Sequence, residues 1–254
     1  MLLKGLQALG FGVFTGLVLA MLAWLSPVRN AASEEALIFN ADNADLFGED
    51  PYFESTLQLQ KLSADQQGRF ALMWIDGKRQ SVRNTDVLLP PCVSLRELFD
   101  DSVLIDNCGS YALLSVAGVP ADNNKLSVRP VVGAEFAPDL PVIIDLRQNK
   151  AVMALLADYH QRLYKRPLSL RGRVKLNVQV EATGGRRYYL APGDDKALFE
   201  LLALQSGDRV KAVNGIALSA KEALTDIYSD LSERSQVALT LEREGRDRVL
   251  LLRF

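Results

Sequence analysis

Histidine is almost missing from this chain: His160 is the single one in 254 residues. Zinc hydrolases of the His-Glu-x-x-His type need two on one helix face, so that chemistry is excluded. A serine triad needs a histidine beside a nucleophile on a strained turn. No Gly-x-Ser-x-Gly elbow is present, and His160 reads as an ordinary helix residue. Cysteine is scarce too. Cys92 and Cys108 are too few for a structural zinc site. No strand runs into Gly-x-Gly-x-x-Gly, and no Gly-x-x-x-x-Gly-Lys-Ser/Thr occurs, so nucleotide cradling lacks its loop. An excess of either charge is also absent. With 29 Lys and Arg against 31 Asp and Glu, the net charge is −2, which disfavours a nucleic-acid partner. Asp194 and Asp195 follow Pro192-Gly193 and precede a helix, where carboxylates serve free amides and the dipole better than a metal. No catalytic residue, metal or cofactor is expected, which leaves binding.

One long apolar run is present. Residues 6–25 are broken only by Gln7, Thr15 and small glycines. At 1.5 Å per residue this spans a hydrocarbon core of roughly 30 Å. A cleaved signal peptide is the competing reading, but its apolar region is shorter and ends at a small-x-small site. Here Trp24, Pro27 and Arg29 follow, so a retained transmembrane helix over 6–26 is expected, with residues 1–5 as a cytoplasmic tip. Lys4 lies before the run. Residues 31–54 hold seven acids and no base, which favours the bulk outside the cytoplasm. Gly12 and Gly16, four apart, offer a face for a homodimer or a partner helix. Residues 27–55 read as an acidic, solvated spacer.

Residues 56–116 read as about six short strands: 57–62, 69–75, 79–82, 93–98, 102–105 and 111–116. Such spacing predicts a small antiparallel barrel or sandwich. If 93–98 and 102–107 form a hairpin turning at Asp100-Asp101, positions summing to 200 face each other. Cys92 and Cys108 meet that sum, so they either form a cross-strand disulfide, which implies an oxidising compartment, or remain two separate thiols. Pro120, Pro130, Pro138 and Pro141 mark 117–147 as a linker. Residues 148–166 then carry Val152, Leu155, Leu156, Tyr159 and Leu163 at helical spacing.

From 167 to 254 the order is strand, Gly184-Gly185 turn, strand, helix, strand at 209–213, Asn214-Gly215 turn, helix at 220–231, and a hairpin across Glu244-Gly245. A short apolar helix running into Gln205-Ser206-Gly207-Asp208 and then that strand reads like a bacterial PDZ module, which binds extended peptides along a sheet edge. That reading gives Gly184 and Gly185 to a carboxylate-facing loop, Tyr188, Tyr189 and Leu190 to the edge strand, and Leu224, Ile227 and Tyr228 to a helix wall. Arg186 and Arg187 would draw acidic ligands, unless they are solvated hairpin charges. The apolar members otherwise simply fill the core.

Tyr189-Leu190-Ala191-Pro192-Gly193-Asp194-Asp195, then Leu198-Phe199, Leu204 to Asp208 and Ala212-Val213-Asn214-Gly215, resemble the C subunit family of type II secretion systems. Asp101 to Ile105, Gly109 to Leu114 and Gly77 to Val82 resemble the homology region of that family; Thr85-Asp86 stands where Gly-Asp is usual. The resemblance implies a mainly β chain with some α: one membrane helix, a small β homology region, a linker and a C-terminal PDZ-like domain. It implies a single-pass bacterial inner-membrane protein with its bulk in the periplasm. The expected partners are the inner-membrane platform, the outer-membrane secretin and secreted exoproteins. Docking by strand contacts would use Leu57 and Leu59 on one candidate edge, or Arg79, Val82 and Arg83 on another. The alternative is a membrane-anchored PDZ adaptor that regulates an envelope protease or stress pathway.

Overall fold

The computed structural model describes residues 54–116, 124–128, 140–180, 185–218 and 223–254. The chain is mainly β with a few helices, and it divides into two compact units. Among the described residues no helix is long and apolar enough to cross a membrane. The apolar run at 6–25, with Gly12 and Gly16, lies outside them.

The first unit contains β1 (Ser55–Asp65), β2 (Gly68–Ile75), β3 (Lys78–Val82), β4 (Val87–Leu89), β5 (Val93–Leu98) and β6 (Ser102–Asn107). β7 (Ser110–Ser115) follows β6, and β8 (Lys125–Val128) arises where the linker was expected. One sheet runs in the order β3-β2-β1-β8 and the other β4-β5-β6-β7. β1 shows how the sequence sets a face. Leu57 opposes Ile75 and Leu59 opposes Met73, but Lys61 opposes Leu72 and Leu62 opposes Ala71. Gln60 is therefore an inserted residue, and this bulge returns Leu62 to the face of Leu57 and Leu59 although their spacing is odd. Leu57, Leu59, Ala71 and Met73 are completely buried.

The β5–β6 hairpin is bulged in the same way. Phe99 N–H donates to Ser102 O, so the two-residue turn at Asp100-Asp101 makes paired positions sum to 201, as Leu98 and Val103 do. An extra residue at Arg96 lowers the sum to 200, and Leu95 faces Ile105 while Val93 faces Asn107. The next pair is Cys92 and Cys108, which are joined by a disulfide with Cα atoms 5.0 Å apart.

The second unit contains β9 (Val142–Asp145), α1 (Lys150–Lys165), a 3-10 turn (Pro167–Leu170), β10 (Val174–Val180), β11 (Arg186–Pro192) and α2 (Lys196–Leu201). β12 (Arg209–Val213), β13 (Ile216–Ala217), α3 (Ala223–Ser232), β14 (Gln236–Arg243) and β15 (Arg246–Arg253) complete it. Its sheet order is β10-β11-β12-β14-β15-β9, with β13 paired to β12. β9, also from the expected linker, lies parallel to β15. α1 is capped by Asn149, whose side chain accepts from the amides of Ala151 and Val152, and it buries Val152, Leu156, Tyr159 and Leu163. These join Leu190, Leu198, Ile227, Leu239 and Leu250 in one core.

The end of α2 differs from the expectation of a helix running into Gln205-Ser206-Gly207-Asp208. α2 ends at Leu201, with Ala203 at φ 51° and Leu204 N–H donating to Phe199 O. The left-handed residue after the helix is thus Ala203. Gly207, at φ 96°, serves the next turn, where its amide reaches Leu190 O. Asn214 and Gly215, at φ 47° and 82°, make the tight reversal between β12 and β13.

Candidate functional site

A strand-adding surface needs an edge with backbone groups to offer, so topology decides which strands qualify. β11 does not. It pairs with β10 along seven positions, from Val174 opposite Pro192 to Val180 opposite Arg186, and with β12 at Tyr188 and Tyr189. Tyr188, Tyr189 and Leu190 therefore lie on an interior strand, and Tyr188 and Leu190 are buried in the core. Leu224 and Ile227 are core members as well, while half-buried Tyr228 packs against them. The Tyr228 carbonyl accepts from the Tyr164 hydroxyl at 2.8 Å. Gly185 precedes β11, and Gly184 lies outside the described residues.

The edge strand is β10, displaced by one strand from the expectation. Among the described residues its outer side has no partner strand. Val174 is buried at its start. Leu176, Val178 and Val180 continue the same face outward, with Val178 49% and Val180 70% exposed. Lys175, Asn177 and Gln179 are exposed on the opposite face. The loop ahead of β10 contains Gly172 at φ 82°, a conformation glycine adopts without steric cost. That loop is clamped to the start of α2, because Asp194 N–H donates to Gly172 O and Asp195 N–H to Arg173 O.

Asp195 holds this corner together. Its carboxylate accepts from Leu198 N–H at the head of α2 and from the Tyr159 hydroxyl on α1. Arg173 Nη1 stands 3.9 Å away. The Tyr159 hydrogen bond, followed by the Leu198 amide and Arg173, holds the Asp195 carboxyl below its ordinary range. Burial, then the bond to Asp195, pushes the Tyr159 phenol well above its ordinary range. The capping role expected of this acidic pair falls to Asp195.

His160 serves packing. Its Nε2 lies 2.9 Å from Leu231 O, and its ring stacks on Phe254 at 4.3 Å. Among the described residues no group of three potential metal ligands occurs.

In the first unit β1 is interior. It pairs with β2 throughout and with β8 over Ser55 to Gln58. Leu57 and Leu59 are core residues, fully buried, and β8 occupies the strand's outer side at Leu57. β3 is a true edge strand; Lys78, Arg79, Gln80 and Ser81 are exposed and Val82 is buried. Arg83, just beyond β3, is occupied. It pairs with Asp65, donates to Arg69 O and lies over the Phe70 ring. Arg79 is the exposed cation of the pair.

Sequence reasoning missed the buried ion pairs of the second unit. Arg243 donates twice to Asp208, whose side chain is 1% exposed, and Asp208 also accepts from Gln205 N–H. Arg234 pairs with Asp230, and there burial outweighs Arg234 and raises the Asp230 carboxyl above its ordinary range. No local pattern announces such pairs.

A Vibrio cholerae relative named type II secretion system protein C is 24% identical over 195 residues, covering 76% of this chain and 61% of the relative. A Klebsiella pneumoniae protein of the same name is 39% identical over 59 residues, 23% of this chain and 21% of that one. The chain resembles type II secretion system protein C. It spans less than two thirds of the length of either relative. No family model matches. Among solved structures, the PDZ domain of EpsC from Vibrio cholerae is 26% identical, over 41% of this chain and 99% of that one, with a TM-score of 0.33. The PDZ domain of the Klebsiella pneumoniae pullulanase C protein, solved in complex with fatty acid, is 27% identical, over 37% and 97%, with a TM-score of 0.32.

Proposed function

We propose that this chain is an inner-membrane connector of a type II secretion system. Residues 6–26 anchor it, with the N-terminus in the cytoplasm and both units in the periplasm. The first unit acts as the homology region that docks on the outer-membrane secretin. The second acts as a PDZ-like reader of extended exoprotein segments, and the anchor keeps both near the inner-membrane platform. The observation that carries this reading is the 195-residue similarity to the Vibrio cholerae protein. The disulfide adds support, since such bonds persist in oxidising compartments like the periplasm.

The topology refines which surfaces do the work. Secretin docking belongs to the β3 edge, with Arg79 among its exposed cations, because β8 covers β1 at Leu57 and both Leu57 and Leu59 are buried. Exoprotein reading belongs to the β10 edge, because it has the glycine-bearing loop at its head and an apolar face running outward. Strand addition at such edges gives affinity through backbone hydrogen bonds and selectivity through alternate side chains. The test is a pull-down of periplasmic secretin fragments by the detergent-solubilised full chain. Capture of the secretin, lost on Arg79→Glu, supports the assignment. A chain that assembles only with an envelope protease overturns it in favour of a regulatory adaptor.

A further inference from the structure

β9 and β10 stand at opposite ends of the second sheet, and α1 is the chain between them. Its 16 helical residues reach about 24 Å, as far as five strand spacings of about 4.8 Å. Val152, Leu156, Tyr159 and Leu163 fix its inner face to the core. Two further side chains reach α3. The Tyr164 hydroxyl donates to Tyr228 O at 2.8 Å, and the two rings lie 4.8 Å apart. His160 Nε2 lies 2.9 Å from Leu231 O. α3 ends at Ser232, so the Leu231 carbonyl is one of its last four and has no partner within the helix. α1 supplies that partner.

Packing beneath this clasp is incomplete. Two adjoining apolar cavities of about 40 and 70 Å³ share Leu156 and Leu163 of α1 and Leu231 of α3. The larger is also lined by Ile227 of α3 and by Val174 at the head of β10. Side chains around such voids lack part of their usual neighbours, so a shift of α3 gives up fewer contacts there than in a filled core. We infer that α1 is a catch on α3: it holds α3 beside the head of β10, and its release lets α3 move away from that edge. The inference rests on the reading of the second unit as a PDZ-like reader working at β10, and it adds the element that regulates that edge. A partner that draws off α1 would widen the gap between α3 and β10 without touching either.

The test places a spin label on each side of that gap. Exposed Asn177 on β10 and exposed Asp226 on α3 are replaced by labelled cysteines in the full chain in detergent micelles, Cys92 and Cys108 being already joined. The distance distribution is read by pulsed electron resonance, with and without His160→Phe/Tyr164→Phe. These changes keep an aromatic ring at each position and remove both hydrogen bonds to α3. Each bond weighs about fivefold in an equilibrium. A displaced state held at a few per cent then becomes comparable with the resting one. One narrow distribution is expected before the change and a second, longer population after it. Hydrogen exchange is expected to rise at least about tenfold in α3 while β14 and β15 stay protected. An unchanged distance, or protection lost equally in α3 and the two strands, overturns the inference. Should the double variant fail to fold, Tyr164→Phe alone is read in the same way, with a smaller second population expected. No bound peptide enters this measurement, so its outcome is separate from that of the reader itself, which fails if crosslinking from position 177 captures no exoprotein.

Discussion

Gly193 has no room for a side chain. A Cβ built there would lie 2.1 Å from the Gly172 carbonyl oxygen and 2.5 Å from that of Arg173. Gly193→Ala must push apart the β10 loop and the head of α2, and a loss of about 3 kcal/mol is expected, read from the urea midpoint. At Asp195 the sign of the pH dependence follows from its depressed carboxyl. The stabilisation is complete above the ordinary value of 3.8 and is lost as pH falls through the lower, folded value. Asp65 is depressed too, chiefly by the Gln67 amide, so a comparison isolates the effect. Asp195→Asn is expected to show a smaller stability loss on acidification than the parent does. Asp208→Asn leaves Arg243 without its carboxylate, and the expected cost is about 3 kcal/mol on the same assay.

Elements with a strong local signature matched their sequence patterns. The apolar face of α1 and the Asn214-Gly215 reversal could be read from local spacing, whereas the expected cysteine register holds only because the bulge at Arg96 offsets the two-residue turn. β8 and β9 could not. Each is four residues long, lies among prolines, and pairs with a strand remote in sequence. Edge or interior status was equally hidden. Tyr188 and Leu190 have the composition of an edge above a groove, but the topology sets β10 outside them, and only long-range pairing reveals that. The signal that could have corrected this was Gly172 just before the alternating Val174–Val180. At this scale the disulfide is testable. It closes a 16-residue separation in the first unit. Loop-closure entropy then gives about 3 kcal/mol, so reduction, or Cys92→Ser/Cys108→Ser, is expected to lower the denaturation midpoint of that unit while leaving the second unit unchanged.

Taken as a whole, the molecule offers two small β-rich units and few reactive side chains. The single histidine packs on Phe254, Asp208 and Asp230 are held by arginines, Asp195 by a tyrosine, and Asp106 accepts from the Gly109 amide. Its open sheet edges include β3, which exposes Lys78 and Arg79, and β10, which exposes Val178 and Val180. This arrangement suits a protein that joins others together. The central claim is that the first unit bridges to the outer membrane through β3. The most direct measurement is site-specific crosslinking in cells from position 79 of the membrane-retained full chain. A covalent adduct with the periplasmic part of the secretin is the predicted result. Efficient crosslinking to other envelope proteins with none to the secretin, in cells that secrete normally, would contradict it.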